Sequence, residues 1–213
     1  MNLRDRMDSL YRDNPLEAIP WNLEQPPAIL TGLVSSGRIE PCRAVDLGCG
    51  AGNYAVWLAT LGFTMTGLDF SEAALELARQ LADSRGVDCR FEVCDMTGPA
   101  DDFESEFDFA FDWEVLHHVF PEQRVAYLTH VHHLLRPGGT YLSVCFSEAD
   151  PAFGGTGKYR DTPMGTTLYF SSEEELRELF EPLFVLEELS TVEVEGKREP
   201  HMAVKAIMTR RDI

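Results

Sequence analysis

The stretch Ala44-Val45-Asp46-Leu47-Gly48-Cys49-Gly50-Ala51-Gly52-Asn53 constrains this chain more than any other. Ala44, Val45 and Leu47 read as a short buried strand, and Ala55, Val56, Leu58, Ala59 and Leu61 return at helical spacing. Between them, Gly48, Gly50 and Gly52 leave a loop with so little side chain that a ligand can approach the backbone closely. The helix start offers unpaired N–H groups to polar ligand atoms. A plain strand-to-helix turn looks the same, so the loop alone leaves both readings open. Its spacing narrows the choice. A dinucleotide fingerprint needs a third glycine where Asn53 stands, and no Lys-Ser/Thr pair follows to make a phosphate-cradling P-loop.

The rest of the chain repeats this unit. Thr64–Asp69, Cys89–Cys94, Phe107–Asp112 and Thr140–Phe146 read as further strands. Ser71 caps a helix running to about Arg85, with Glu72 in its first turn. Pro121 and Glu122 open another, whose apolar face takes in Val125, Leu128, Val131, Leu134 and Leu135 and which Pro137-Gly138-Gly139 stops. Alternating units of this kind predict a doubly wound, mostly parallel sheet with helices on both faces. Residues 148–170 hold a long glycine- and proline-rich loop, read as functional because unstructured loops of that length are uncommon. Ser171 or Ser172 caps a last helix through Phe180. The runs Phe184–Val194 and Met202–Met208, joined by Glu195-Gly196-Lys197, read as an antiparallel hairpin. Ahead of the first strand, residues 1–36 carry a short helix with Met7 and Tyr11, the extended Ile19-Pro20-Trp21 piece and a second helix from Leu23 to Ser36. They are too short to fold alone and read as a cap over the carboxyl edge of the sheet, within a single domain spanning 1–213. Trp21 and Tyr11 either face a ligand or only pack this segment down.

Open parallel sheets bind ligands outside the carboxyl ends of their strands, so the residues found there carry the functional reading. Strand two ends in Asp69-Phe70, where a carboxylate can accept both hydroxyls of a ribose. Strand three ends in Asp95-Met96, where an acid can accept an exocyclic amine of adenine while Met96 packs on the ring. Strand four ends in Asp112-Trp113-Glu114, then Val115-Leu116-His117-His118. Any one Asp is an ordinary turn residue. Three strands ending in Asp after a glycine loop form a pattern.

That pattern, with the acidic Asp46 leading Gly48-x-Gly50-x-Gly52, resembles the class I S-adenosylmethionine-dependent methyltransferases from about residue 40 to 147. Leu135-Arg136-Pro137-Gly138-Gly139 is similar to the turn before their fifth strand, and the last strand pair to their reversed final strand. The resemblance implies a seven-stranded sheet with an antiparallel C-terminal strand and an N-terminal helical cap. It implies S-adenosyl-L-methionine as cofactor and S-adenosyl-L-homocysteine as product. Cofactor contacts are then expected from Trp21, Asp46, Gly48, Gly50, Gly52, Asp69, Phe70, Asp95, Met96, Asp112 and Trp113. Asp112-Trp113-Glu114-Val115 stands where base- and glutamine-modifying members carry Asn/Asp-Pro-Pro-Tyr, and Pro20-Trp21 is similar to the small-molecule thiol, thiopurine and tellurite branch. The expected reaction is methyl transfer to a small molecule. The alternative is a regulatory protein that binds the cofactor without turnover. A nicotinamide oxidoreductase is disfavoured by Asn53.

His117 follows strand four directly and is a candidate base or a loop-packing residue; Glu114 and Tyr159 are the other candidate proton acceptors. Lys158, Tyr159 and Arg160, in the long loop, are candidates to hold an acidic group of the substrate, with entry expected between the cap and residues 148–167. His130 and His133 lie one turn apart without a carboxylate or thiol set, and read as a solvated helix face; no metal is expected. With 36 acidic against 18 basic residues the surface repels phosphate backbones, which excludes nucleic acid as substrate. No apolar run reaches transmembrane length and Met1–Arg6 lacks the core of a secretory signal, so a cytoplasmic location away from membranes is expected. Five cysteines without a C-x-x-C pair fit buried, reduced thiols.

Overall fold

The computed structural model describes residues 3–98 and 104–213. The first two residues of the expected cap lie outside this range. The chain forms two compact units, one of Met1–Asp95 with Glu195–Pro200, the other of Met96–Val194 with His201–Ile213.

The first unit holds α1 (Leu3–Asp13), a 3-10 turn at Leu16–Ala18, α2 (Ala28–Ser35), β1 (Arg43–Leu47), α3 (Asn53–Thr60), β2 (Thr64–Asp69), α4 (Glu72–Arg85) and β3 (Cys89–Val93). β1 pairs with β2 and β2 with β3, all parallel. Ala44 to Leu47 are all buried, as expected of a parallel strand covered on both faces. The Ser71 hydroxyl accepts the Ala74 N–H and starts α4, and Gly86, at φ 65°, ends it. The buried face of α4 is Ala74, Leu75, Ala78 and Ala82, small enough for close approach. A Cβ on Gly52 would lie 2.8 Å from Ala78 Cβ, so this glycine serves packing as well as turning.

The second unit holds β4 (Phe107–Trp113), a 3-10 turn at Leu116–His118, α5 (Pro121–Leu134), β5 (Leu135–Phe146), β6 (Tyr159–Asp161), β7 (Thr167–Tyr169), α6 (Glu173–Phe180), β8 (Phe184–Val194) and β9 (His201–Arg210). β4 and β5 run parallel, while β9 is antiparallel to both β5 and β8. The seven-stranded order is β3-β2-β1-β4-β5-β9-β8, the expected doubly wound sheet with a reversed last strand. No helix among the described residues is long and apolar enough to cross a membrane.

Three readings need correction. Pro137-Gly138-Gly139 does not separate α5 from β5, which is already extended at Leu135; the register jumps from Phe107↔Leu135 to Phe109↔Thr140, and the bulged Arg136 pairs with Asp108. The 148–170 stretch is not unstructured, because β6 and β7 make a small antiparallel hairpin inside it. The α5 histidines are not a solvated face: His130 is 2% exposed, and buried His132 donates from Nε2 to Arg211 O, whereas Val125, assigned to the apolar face, is 66% exposed. Cys94 and Cys145 are buried, Cys42, Cys49 and Cys89 half-buried, and all five are free thiols.

Candidate functional site

In the first unit the glycine loop is held by Asp69, at the carboxyl end of β2. Asp69 Oδ2 accepts the Gly50 N–H at 2.9 Å and Oδ1 the Ser71 N–H at 2.8 Å. One carboxylate thus ties the loop after β1 to the start of α4 and keeps lone pairs for a ligand's hydroxyls. Burial raises its pKa, opposed by the Ser71, Gly50 and Phe70 amides, so the ionised form depends on these donors. Gly48, Gly50 and Gly52 have φ of 70°, 52° and 78°. The Gly48 and Cys49 N–H groups both donate to Leu68 O, so β2 fixes the loop at both strands' ends. Asp46 is 2% exposed at the end of β1, and its charge raises the Cys49 and Tyr11 pKa values behind burial. Asp95 is exposed just past β3, where the Cys94 N–H donates to Asp69 O; Phe70 is half-buried.

The N-terminal segment lies on this loop. A Cβ on Gly50 would meet the Tyr11 hydroxyl at 2.5 Å, and that hydroxyl accepts from Trp21 Nε1 at 2.9 Å. Trp21 therefore reaches the loop through Tyr11. Three polar residues that sequence reasoning passed over hold the segment down. Asp8 Oδ1 accepts from the Ser71 hydroxyl and the Ala73 N–H, capping α4 from α1. Asn53 Nδ2 donates to Asn22 Oδ1 and Leu23 O, both at 2.9 Å. Lys197 Nζ reaches Leu16 O, Ile19 O and Asn22 O. Only Asn53 carried a sequence signal, its departure from the dinucleotide pattern. Gly50→Ala should cost about 1–2 kcal/mol through its left-handed backbone, and should also lift Tyr11. A lowered melting midpoint with faster proteolysis within residues 3–36 is the expected outcome; unchanged protection of that segment would contradict the contact.

In the second unit the end of β4 turns sharply. Asp112, expected at the cofactor, is fully buried; the Tyr141 hydroxyl donates to its Oδ2, and burial pushes its pKa up to about 6 against that bond. Trp113 and Met96 are buried, 8% and 7% exposed. His117, the candidate base, is 3% exposed. Its Nδ1 accepts the Phe146 N–H at 3.3 Å, so the proton of the neutral ring sits on Nε2, and burial holds its pKa well below the ordinary value. It stacks on Phe146, with centroids 4.2 Å apart.

Arg160, the candidate to hold an acidic group of the substrate, lies within its own loop. It is 3% exposed, its guanidinium donates to Gly157 O, Asp150 O, Ala152 O and Glu148 O, and it covers the Phe170 ring. These donors fold residues 148–160 around the side chain. Lys158 is 2.7 Å from Glu175 and 3.8 Å from Glu148, already neutralised. An open cleft of ≈ 390 Å³ lies over Glu148, Ala149, Gly155, Gly157, Lys158 and Arg160. Tyr159 remains outward, 56% exposed, edge-on to Phe120 and Tyr169. Arg160→Ala strands four carbonyls and should destabilise the chain by about 2 kcal/mol. A thermal melt within a degree of the parent would show the bonds to be dispensable.

A doubly wound sheet with a glycine loop after β1 and an acid after β2 defines a nucleotide-binding α/β protein. Residues 44–139 match the family described as Methyltransferase domain. The 2-heptyl-1-hydroxyquinolin-4(1H)-one methyltransferase of Mycobacteroides abscessus is 29% identical over 153 residues, 70% of this chain and 66% of that protein. Thiocyanate methyltransferase 1 of Brassica oleracea is 30% identical over 136 residues, 62% of this chain and 58% of that protein. The chain thus spans less than two thirds of the length of either curated relative. A solved structure concerned with conversion of a disulfide bond into a thioacetal group during echinomycin biosynthesis is 27% identical with a TM-score of 0.82, covering 99% of this chain and 93% of that one. Residues 44–139, the glycine loop included, are thus similar to methyltransferases, and the chain shares the fold of the solved structure it matches.

Proposed function

We propose that this chain, acting as one domain over residues 1–213, transfers the methyl group of S-adenosylmethionine to a small-molecule acceptor. The observation that carries this reading is the Asp69 carboxylate bridging Gly50 N–H and Ser71 N–H, beside a loop whose Gly48, Gly50 and Gly52 all take left-handed backbones. These residues fit the cofactor: Asp69 for ribose hydroxyls, exposed Asp95 for the adenine amine with Met96 against the ring, and the Gly48–Gly52 backbone for the amino-acid part. Asp46, Phe70 and the Tyr11–Trp21 pair support that loop. When bound, the cofactor supplies an electrophilic sulfonium methyl. The chain's own part is to orient the acceptor in line and exclude water, which supplies much of the rate in a displacement. The end of β4, with Glu114, and outward-facing Tyr159 are proposed for the acceptor.

The relatives' names point to two acceptor chemistries, a hydroxylated quinolone and thiocyanate. The formal charge of −18 supports a small molecule over nucleic acid, and a cytoplasmic location is proposed on the same footing as before. Calorimetry tests the reading. S-adenosylhomocysteine should bind in the micromolar range or tighter while NAD gives no heat; binding of NAD with none of the adenosyl compound would replace methyl transfer by dinucleotide chemistry.

A further inference from the structure

The segment after β4 carries features that the cofactor reading leaves unused. Glu114 has φ 63°, a left-handed backbone that costs a non-glycine residue, and its N–H is fixed to Val144 O at 2.8 Å. Its Oε1 is buried without a hydrogen-bond partner, and so is Nδ1 of His118. Strain and two orphaned polar atoms within five residues are retained where a partner arrives from outside. The place is the carboxyl end of β4, the end at which such sheets take ligands. A run of flat rings adjoins it: His118 and His117 with centroids 4.7 Å apart, His117 on Phe146, and His201 4.8 Å from Phe146.

The charges there are chiefly negative. Asp150, 1% exposed, acts on Glu114, and His201 Nδ1 lies 3.3 Å from Asp150 Oδ2. The nearby cation, Arg124, already donates to Val119 O, Ser171 Oγ and Leu116 O. A ready-made anion such as a thiolate would meet two carboxyl groups and no open cation. A neutral hydroxyl would find an acceptor.

Resting on the methyltransferase reading, we propose that Glu114 is a catalytic residue that takes the proton of the acceptor, and that the acceptor is a planar molecule bearing a phenol-like hydroxyl. In the balanced step the O–H bond breaks and its proton goes to the ionised Glu114 carboxylate. The oxygen pair forms the O–CH₃ bond, the S–CH₃ pair stays on sulfur as a thioether, and Glu114 returns its proton to water. Burial, with Asp150 adding to it, pushes Glu114 up to about 8. A phenol near 10 then lies about 2 units above this base rather than the ~5.5 units that separate it from an ordinary carboxylate. An alkyl alcohol is out of reach of such a base, and a thiol near 8.5 ionises without one.

The test uses the full chain with S-adenosylmethionine and phenol between pH 6 and 9. O-methylation by the parent should rise with pH through about 8, where Glu114 ionises, and the Glu114→Gln profile should lack that step, while calorimetric affinity for S-adenosylhomocysteine stays within twofold. With S-adenosylmethionine, O-methylation should fall at least ~100-fold in Glu114→Gln and exceed S-methylation of thiophenol at least tenfold in the parent. Glu114→Asp, which keeps the carboxyl, should recover part of the rate and of its pH step. A parent profile flat through pH 8, a Glu114→Gln profile equal to the parent's, or preferred thiophenol methylation overturns the proposal with the cofactor site intact. Loss of S-adenosylhomocysteine binding by the parent itself overturns the methyltransferase reading, and this one with it.

Discussion

Replacing Asp69 by alanine is expected to weaken S-adenosylhomocysteine binding by about 3 kcal/mol, roughly 150-fold in Kd. Two losses combine. The first is direct: a carboxylate accepting two ribose hydroxyls makes charge-assisted bonds, each stronger than a neutral pair. The second acts through the loop. Without the carboxylate the Gly50 and Ser71 N–H groups lose their acceptor, and the Gly48–Gly52 backbone is no longer fixed to the start of α4. Asp69→Asn separates these. Its single oxygen can serve one of the two N–H groups, but its NH₂ then faces the other donor, so affinity should fall nearly as far. Calorimetry reads the affinity, and circular dichroism confirms that β1 to β3 still form. Binding of the alanine variant within threefold of the parent would place the cofactor away from this loop.

The parts of this site that were legible in the sequence are those with a short-range signature. Val45 and Leu47 inside a buried run, Ser71 before a helix, and three glycines at alternate positions each have a local physical reason. The parts that were not legible depend on residues far apart in the chain. Arg160 looked like a substrate clamp because its sequence neighbours are polar. Only the folded loop shows four carbonyls converging on it. β6 and β7 have three residues each, too few for a period-two pattern to register. His130 sits on a helix whose sequence alternates no clear polar face, and its burial comes from packing that no local rule specifies. His117 was a fair candidate base by position. The Phe146 N–H that takes its lone pair lies 29 residues along. Asp8, Asn53 and Lys197 bind the N-terminal segment across separations of 63, 31 and up to 181 residues. The same limit hid the left-handed backbone of Glu114, which has no sequence mark in a glutamate.

Glu114→Gln is expected to make the folded chain more stable at alkaline pH, by about 2–4 kcal/mol above pH 8. The unfolded carboxyl titrates near 4.5 and the folded one near 8, with burial the first cause and Asp150 the second. A folded pKa raised above the unfolded value means that the contribution of the acid is full below pH 4.5. It is lost as pH rises toward 8, and the difference is level beyond. The full shift of about 3.5 units corresponds to nearly 5 kcal/mol, reduced here because Glu114 is not wholly shielded from water. Glutamine keeps the shape and carries no charge, so the variant has none of this slope. His118 runs the other way, its pKa lowered to about 4 by burial, so its cost appears as pH falls from 6.5. It is present in both proteins and drops out of their difference. Urea unfolding at half-unit steps from pH 4.5 to 9 should therefore show the two curves meeting at the acid end and parting toward pH 8. Parallel curves would mean that Glu114 is solvated in the folded chain, and its role as a buried proton acceptor would go with that result. A variant more stable than its parent yet unable to methylate a hydroxyl is the signature of a residue kept for chemistry at the expense of the fold.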